Sequence, residues 1–244
     1  QRLPEGMQWL RLAALRRGVF VLQMMAVFEK GQRLRHVGHL DIMRSMQRAL
    51  RRSGLPVSYS QGFNPHILLT FASPLSVGTI GKRELMEVTL DSDVTEDAFL
   101  QDMNRALPPE MQLSMVRVLP EKHPALMAMV KAAQYDIHLL NDTVAQKCGD
   151  ALDAFLAQES IMAMRKTKSG IKETDIRPLI HNLSYAEGHL YAMLALTETV
   201  SCKPDMLVNA LCSFAGCEVP RVMVTRERLL GLNADGFLQP LETL

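Results

Sequence analysis

Arg44, Arg48, Arg51 and Arg52 stand at i, i+4, i+7 and i+8. A helix would carry all four on one side, with Leu40, Met43 and Leu50 on the other. Lys30, Arg33 and Arg35 lie just before this stretch, so residues 30–52 hold seven Lys/Arg and one acid, Asp41. A polyanion is the ligand such a concentration of charge would draw. The plainer reading is a solvated helix face, since arginine favours helices and must point somewhere. The segment YSQGFNPHILLTFASPL follows, with Tyr59, Phe63, Asn64 and His66 near its start. Gly62, Asn64-Pro65 and Pro74 give it an irregular backbone. Cations for phosphates beside rings for bases is the composition of a single-stranded nucleic-acid surface. The competing reading places Phe63 and Phe71 in the core.

Histidine offers a second chemistry. His36, His39 and His66, with Asp41, could supply metal ligands, and a histidine pair could act as general acid and base on RNA. His39 and Asp41 are two residues apart and would splay on a helix, and either can serve its start by capping or by meeting the dipole. The expectation is therefore no metal site, with His39 and His66 as the alternative catalytic pair. A third group lies in MRKTKSGIKETDIRPLI, where Arg165, Lys166, Lys168, Lys172 and Arg177 outnumber Glu173 and Asp175. Ser169-Gly170 marks a turn, so this reads as a basic hairpin able to clamp a phosphate, or as a solvated one. Asp175 and Arg177 are placed to form a salt bridge at the strand end.

Other chemistries find no support. The four cysteines, at 148, 202, 212 and 217, make neither a C-x-x-C pair nor an iron–sulfur cluster motif. GTIGKRE is neither a phosphate-binding loop nor a dinucleotide fingerprint, and no G-x-S-x-G elbow occurs. The sixteen methionines read as core filling. Among 244 residues, 48% are hydrophobic and 22% charged, with a net charge of +1. That excludes disorder over most of the chain and a uniformly basic binder, but not a local basic face. No apolar run approaches the roughly 18 residues of a membrane span. Cysteine usage fits a reducing compartment, so the expected location is cytoplasmic, with no membrane partner. Residues 1–18 are basic and precede the apolar run VFVLQMMAVF, the order of a signal peptide. No small-residue cleavage site follows, so residues 1–20 are expected to be a linker or upstream tail.

The elements that must position these residues form one pattern written twice. Strands are expected at 21–28, 56–60, 84–90 and 111–119, with helices at 39–53 and 98–107, the second capped by Thr95. After a connector at 120–132 the order repeats. Strands are expected at 134–140, 161–165 and 190–197, an extended stretch at 174–181, and a last strand at 218–225. Helices are expected at 143–158, capped by Asn141 or Asp142, and at 205–215, stopped by Gly216. The expected fold class is α+β. Two tandem ferredoxin-like βαββαβ units, residues 21–120 and 133–228, would each form an antiparallel sheet backed by helices. Residues 229–244 would be a C-terminal tail. One continuous sheet is the alternative.

The run FEKGQRLRHVGHLDIMRSMQRALRRSGLPVSYSQGFNPH, then FASPLSVG and RELMEVTL, resembles the radical-SAM-linked bacterial domain of unknown function, the DUF2344 type. KTKSGIKETDIRPLI is similar to the same family's second half, so the resemblance spans residues 25–225. Gly38 stands where that pattern often has Ser, and Ile67-Leu68 where Pro and Lys often follow the FNPH histidine. The resemblance implies association with a radical SAM protein, in trans or as a fused upstream domain; the start at Gln1 would fit a piece of such a fusion. S-adenosylmethionine and the iron–sulfur cluster would belong to that partner, with no cofactor in this chain. A more distant likeness is to the paired ferredoxin-like RNA-processing proteins of CRISPR systems. The expected function is non-catalytic binding of RNA, tRNA or rRNA, for presentation to the partner. The alternatives are a metal-independent RNA-processing or RNA-modifying enzyme and a protein-interaction domain.

Overall fold

Strand β1 (Leu22–Lys30) divides its side chains between two cores. Met24, Ala26 and Phe28 enter one, while Met25 and Val27 enter the other. Burial on both faces explains why this segment reads as a near-continuous apolar run. The computed structural model describes residues 21–120, 122–167, 170–197 and 199–243. The linker expected over residues 1–20 lies outside them.

After β1 come α1 (His39–Ser53), β2 (Leu69–Phe71), β3 (Thr79–Leu90), α2 (Glu96–Ala106) and β4 (Leu113–Val118). Gly54 ends α1 at φ +75°, a left-handed conformation that costs a residue without Cβ little. The Thr95 hydroxyl caps α2 by accepting from the Ala98 N–H at 3.2 Å. The buried face of α1 is Ile42, Met46, Ala49 and Leu50. Leu40, expected on the apolar side, is 62% exposed instead. Residues 56–60, expected as a strand, form only the bridges Val57–Leu90 and Tyr59–Ile67.

The second half holds a short α3 (Leu126–Met129), β5 (Ala132–Leu139), α4 (Asp142–Leu156), β6 (Met162–Thr167), β7 (Gly170–Asp175), β8 (Ile180–Ala186), β9 (His189–Ala195), α5 (Pro204–Phe214), β10 (Val222–Leu232) and β11 (Leu238–Pro240). Asn141 caps α4, its Oδ1 accepting from the Val144 N–H at 3.0 Å. The extended stretch expected at 174–181 is broken by a 3-10 turn at Arg177–Leu179, which separates β7 from β8. Strands β6 and β7 form a two-stranded hairpin of their own.

The two halves share a single mixed sheet of nine strands, in the order β4-β1-β3-β10-β5-β9-β8, with β2 on β3 and β11 on β10. Two separate antiparallel sheets were the expectation, and β3 shows why they merge. Strand β2 covers its edge only at Met86–Val88. Its other end would leave backbone groups unpaired, and β10 fills the gap, running parallel to Thr79–Gly81 through Val224–Arg226. The expected tail at 229–244 is likewise corrected. Strand β10 continues to Leu232, β11 folds back on it, and Leu241 and Glu242 are buried. No helix among the described residues is long and apolar enough to cross a membrane.

Candidate nucleic-acid interface

Helix α1 turns its four arginines away from the sheet because Ile42, Met46, Ala49 and Leu50 bury the opposite stripe. Their chemical states then diverge. Arg44 donates to Asp41 Oδ1 at 2.8 Å, an i,i+3 pair within the helix. Arg52 reaches to the Ala106 carbonyl at 2.7 Å, placing a cation at the negative end of α2. Arg48 and Arg51 are exposed and have no carboxylate within 4.0 Å among the described residues. In the loop before α1, Arg33 lies 3.6 Å from Glu110, and the Arg35 guanidinium donates to the Gln32 carbonyl at 3.3 Å. Of these six arginines, Arg48 and Arg51 are the two whose guanidinium has neither an ion pair nor a hydrogen bond among the described residues.

The segment after α1 places its rings outside. Phe63 is fully exposed while Phe71 is buried, so of the two phenylalanines only Phe71 belongs to the core. Tyr59 is 42% exposed, Asn64 is exposed, and Gly62 at φ +123° turns the chain between them. His66 is exposed and tied to Ser60, whose Oγ lies 2.7 Å from Nδ1 and accepts the His66 N–H at 3.1 Å. Ile67 is buried and pairs with Tyr59.

In the β6–β7 hairpin, Lys172 is exposed and pairs across the strands with Arg165. Of Lys166 only the backbone, opposite Ile171, is described, and Lys168 lies outside the described residues. Arg177 does not extend toward a ligand: its Nε donates to the Leu156 carbonyl at the end of α4, at 3.0 Å. The expected Asp175–Arg177 ion pair is replaced by a backbone bond, Arg177 N–H to Asp175 Oδ1 at 2.9 Å. That donor, with the Ile161 N–H, holds the Asp175 carboxyl below its ordinary range.

Comparison with known families decides the affiliation. A family described as an uncharacterized protein conserved in bacteria, DUF2344, matches residues 23–209. The chain belongs to that family. No curated protein matches it.

The DUF2344 chain also holds a buried polar cluster beneath the first turn of α1, which motif reading does not reveal. Arg226 of β10 and Glu84 of β3 form a two-pronged ion pair, Nε to Oε1 at 2.8 Å and Nη2 to Oε2 at 2.5 Å. The same guanidinium donates to Ser73 Oγ, Ser73 O and Pro74 O at 3.2–3.3 Å. Burial opposes its charge most strongly of any single cause, but the Glu84 carboxylate and Tyr135 act together against it and hold Arg226 above its ordinary range. Lys30 is equally buried and donates to the Arg35 carbonyl at 3.0 Å. Desolvation pushes its ammonium down, with Glu84 working the other way. One small cleft beside the pair is lined by Lys30, His39, Ser73 and Glu84. A second, of about 90 Å³, is lined by Tyr135, Cys202, Lys203 and Arg226. The pair therefore sits between the first turns of α1 and α5. The sequence carries no distinct signal for it, because each of the three strands holds further charges: Glu29 in β1, Lys82, Arg83 and Glu87 in β3, and Glu227 and Arg228 in β10.

His39 packs edge-on against Phe71, ring centroids 5.3 Å apart, and no hydrogen bond or ring contact joins it to His66 among the described residues. Burial first, and the Arg226 charge second, push its imidazole below its ordinary value. The unfolded chain therefore takes up a proton, from about pH 6.5 downward, that the folded chain refuses until its own lower value is reached. Stability is expected to fall as pH drops through that interval. The thermal midpoint of the wild type should decline more between about pH 7 and pH 5 than that of His39→Gln. Parallel declines would show that His39 carries none of the effect.

Proposed function

We propose that this chain is a cytoplasmic, non-catalytic accessory domain that binds RNA, tRNA or rRNA, through the outer face of α1 and the loop at 59–66. It presents that RNA to a radical SAM protein, the partner its family resemblance implies, which would supply S-adenosylmethionine and the iron–sulfur cluster. The observation that carries the reading is the pair of exposed, uncompensated guanidiniums of Arg48 and Arg51, followed in the chain by the fully exposed ring of Phe63. Free cations release counterions from phosphates, and an exposed ring stacks a base. Lys172 is a further phosphate contact at the hairpin. Each half is read as a ferredoxin-like unit. In support, the fourth, first, third and second strands lie side by side in both, as β4-β1-β3-β2 and as β10-β5-β9-β8.

Binding of labelled tRNA and rRNA, followed between about 50 and 200 mM salt, tests the reading. Affinity should fall steeply with salt, and the slope should drop by about one for each of Arg48→Glu and Arg51→Glu. Phe63→Ala should cost roughly 1–3 kcal/mol without changing the slope. Affinity that ignores salt would reject the proposal. RNA turnover lost in His39→Ala or His66→Ala would replace binding with catalysis. Capture of a radical SAM partner without RNA would make the chain a protein-interaction domain.

A further inference from the structure

Three of the four cysteines converge although 64 residues separate the first two. The sulfurs of Cys148, Cys212 and Cys217 lie within 4.8 Å of one another, and Cys148 Sγ is 3.8 Å from Cys212 Sγ. A tetrahedral site with metal–sulfur bonds of about 2.3 Å sets its sulfurs about 3.8 Å apart, so the first pair already has the spacing of two ligands. We propose that these thiols form a binding site for a soft divalent cation, zinc above all, with the fourth coordination position open on the Cys217 side.

The fold brings each ligand in for a definite reason. Cys148 lies on the buried stripe of α4 with Leu152 and Phe155. Cys212 lies in the last turn of α5. Gly216, at φ +63°, then reverses the chain, and the Cys217 N–H returns to the Cys212 carbonyl at 3.0 Å. That closure carries the third sulfur back over the end of the helix. Cys148 and Cys212 are fully buried and Cys217 is half-buried, so the entry route is from the Cys217 side.

Without a cation, Cys148 and Cys212 are held as neutral thiols. Burial raises Cys148 above its ordinary range and lifts Cys212 to about 11. Zinc would take three thiolates and release three protons to solvent, leaving one net negative charge at the half-exposed end, where water or an outside group completes the shell. Buried cysteine also serves as a small apolar residue, and Cys202 supplies that contrast. It is buried, and its contact is the Lys203 carbonyl, not another sulfur.

The test uses the reduced full chain titrated with Co²⁺ as the spectroscopic stand-in for zinc. The expected result is one ion per chain, tetrahedral d–d bands, a thiolate-to-cobalt charge-transfer band, and displacement by Zn²⁺. Cys217→Ser should cut the charge-transfer intensity by about a third and weaken binding more than about tenfold, the lower end of what losing even an outer-shell partner costs. Cys202→Ala should bind as the wild type does. Circular dichroism confirms that the variants are folded. A reduced wild type without the thiolate band overturns the proposal, whatever the variants do, and so does a band that survives intact in folded Cys217→Ser.

Discussion

Arg226→Met is expected to lower the unfolding free energy by about 3–5 kcal/mol, because it leaves the Glu84 carboxylate buried without its cation. Both side chains are nearly inaccessible, at 2% and 3% exposure. With so little of either side chain exposed, solvent can replace few of the lost hydrogen bonds, and Ser73 and Pro74 lose those they accept from Arg226 as well. The surroundings are fitted to the pair. A Cβ on Gly81 would come within 2.5 Å of Glu84 Cγ, so the glycine is what lets the carboxylate lie against β3. Removing both charges, as in Glu84→Leu with Arg226→Met, should recover much of the loss, since a buried ion pair contributes little net stability over an apolar replacement. Urea denaturation of the two single variants and the double variant reads this directly. A wild-type midpoint for Arg226→Met would show that the orphaned carboxylate costs nothing, and a double variant no better than the single would show that the loss comes from the pair itself and not from an unpaired buried charge.

Phe99→Ala should cost about 3–5 kcal/mol through the cavity it opens. Phe99 is fully buried in the first-half core with Met46, Leu50 and Met103, where α1 and α2 meet the sheet. Phe99→Leu should lose much less, because most of the volume remains. The variant also tests whether the halves fold separately. Parallel pairing of β3 with β10 makes the sheet continuous. Hydrogen exchange should therefore show both halves of Phe99→Ala opening together. A second half that stays protected while the first opens would mean that the shared sheet does not couple them.

Local physical chemistry is written in the chain, and much of it is legible there. Helix α1 lies where its spacing and Gly54 place it, and Thr95 and Asn141 cap the helices they precede. Caps and stops depend on neighbours within a few residues, so a sequence window contains the whole cause. The arginine stripe of α1 belongs to this class, because helical periodicity alone sets it opposite the buried face. The rotation of α1 does not. Leu40 faces solvent and Ile42 faces the core because of where β1 and β3 lie.

Compensation and convergence are tertiary. Arg52 and Arg177 carry the same side chain as Arg48, yet each meets a carbonyl at a helix end that sequence distance conceals. Glu84 and Arg226 are 142 residues apart, and Cys148 and Cys212 are 64 apart. Only the pairing of β10 with β3 and the packing of α4 against α5 bring them within bonding range. By itself the sequence determined the composition of the surface and the two-fold rhythm of elements. The tertiary structure decided which charges stay free, because hydrogen bonds and ion pairs act over a few ångströms of space, irrespective of separation along the chain.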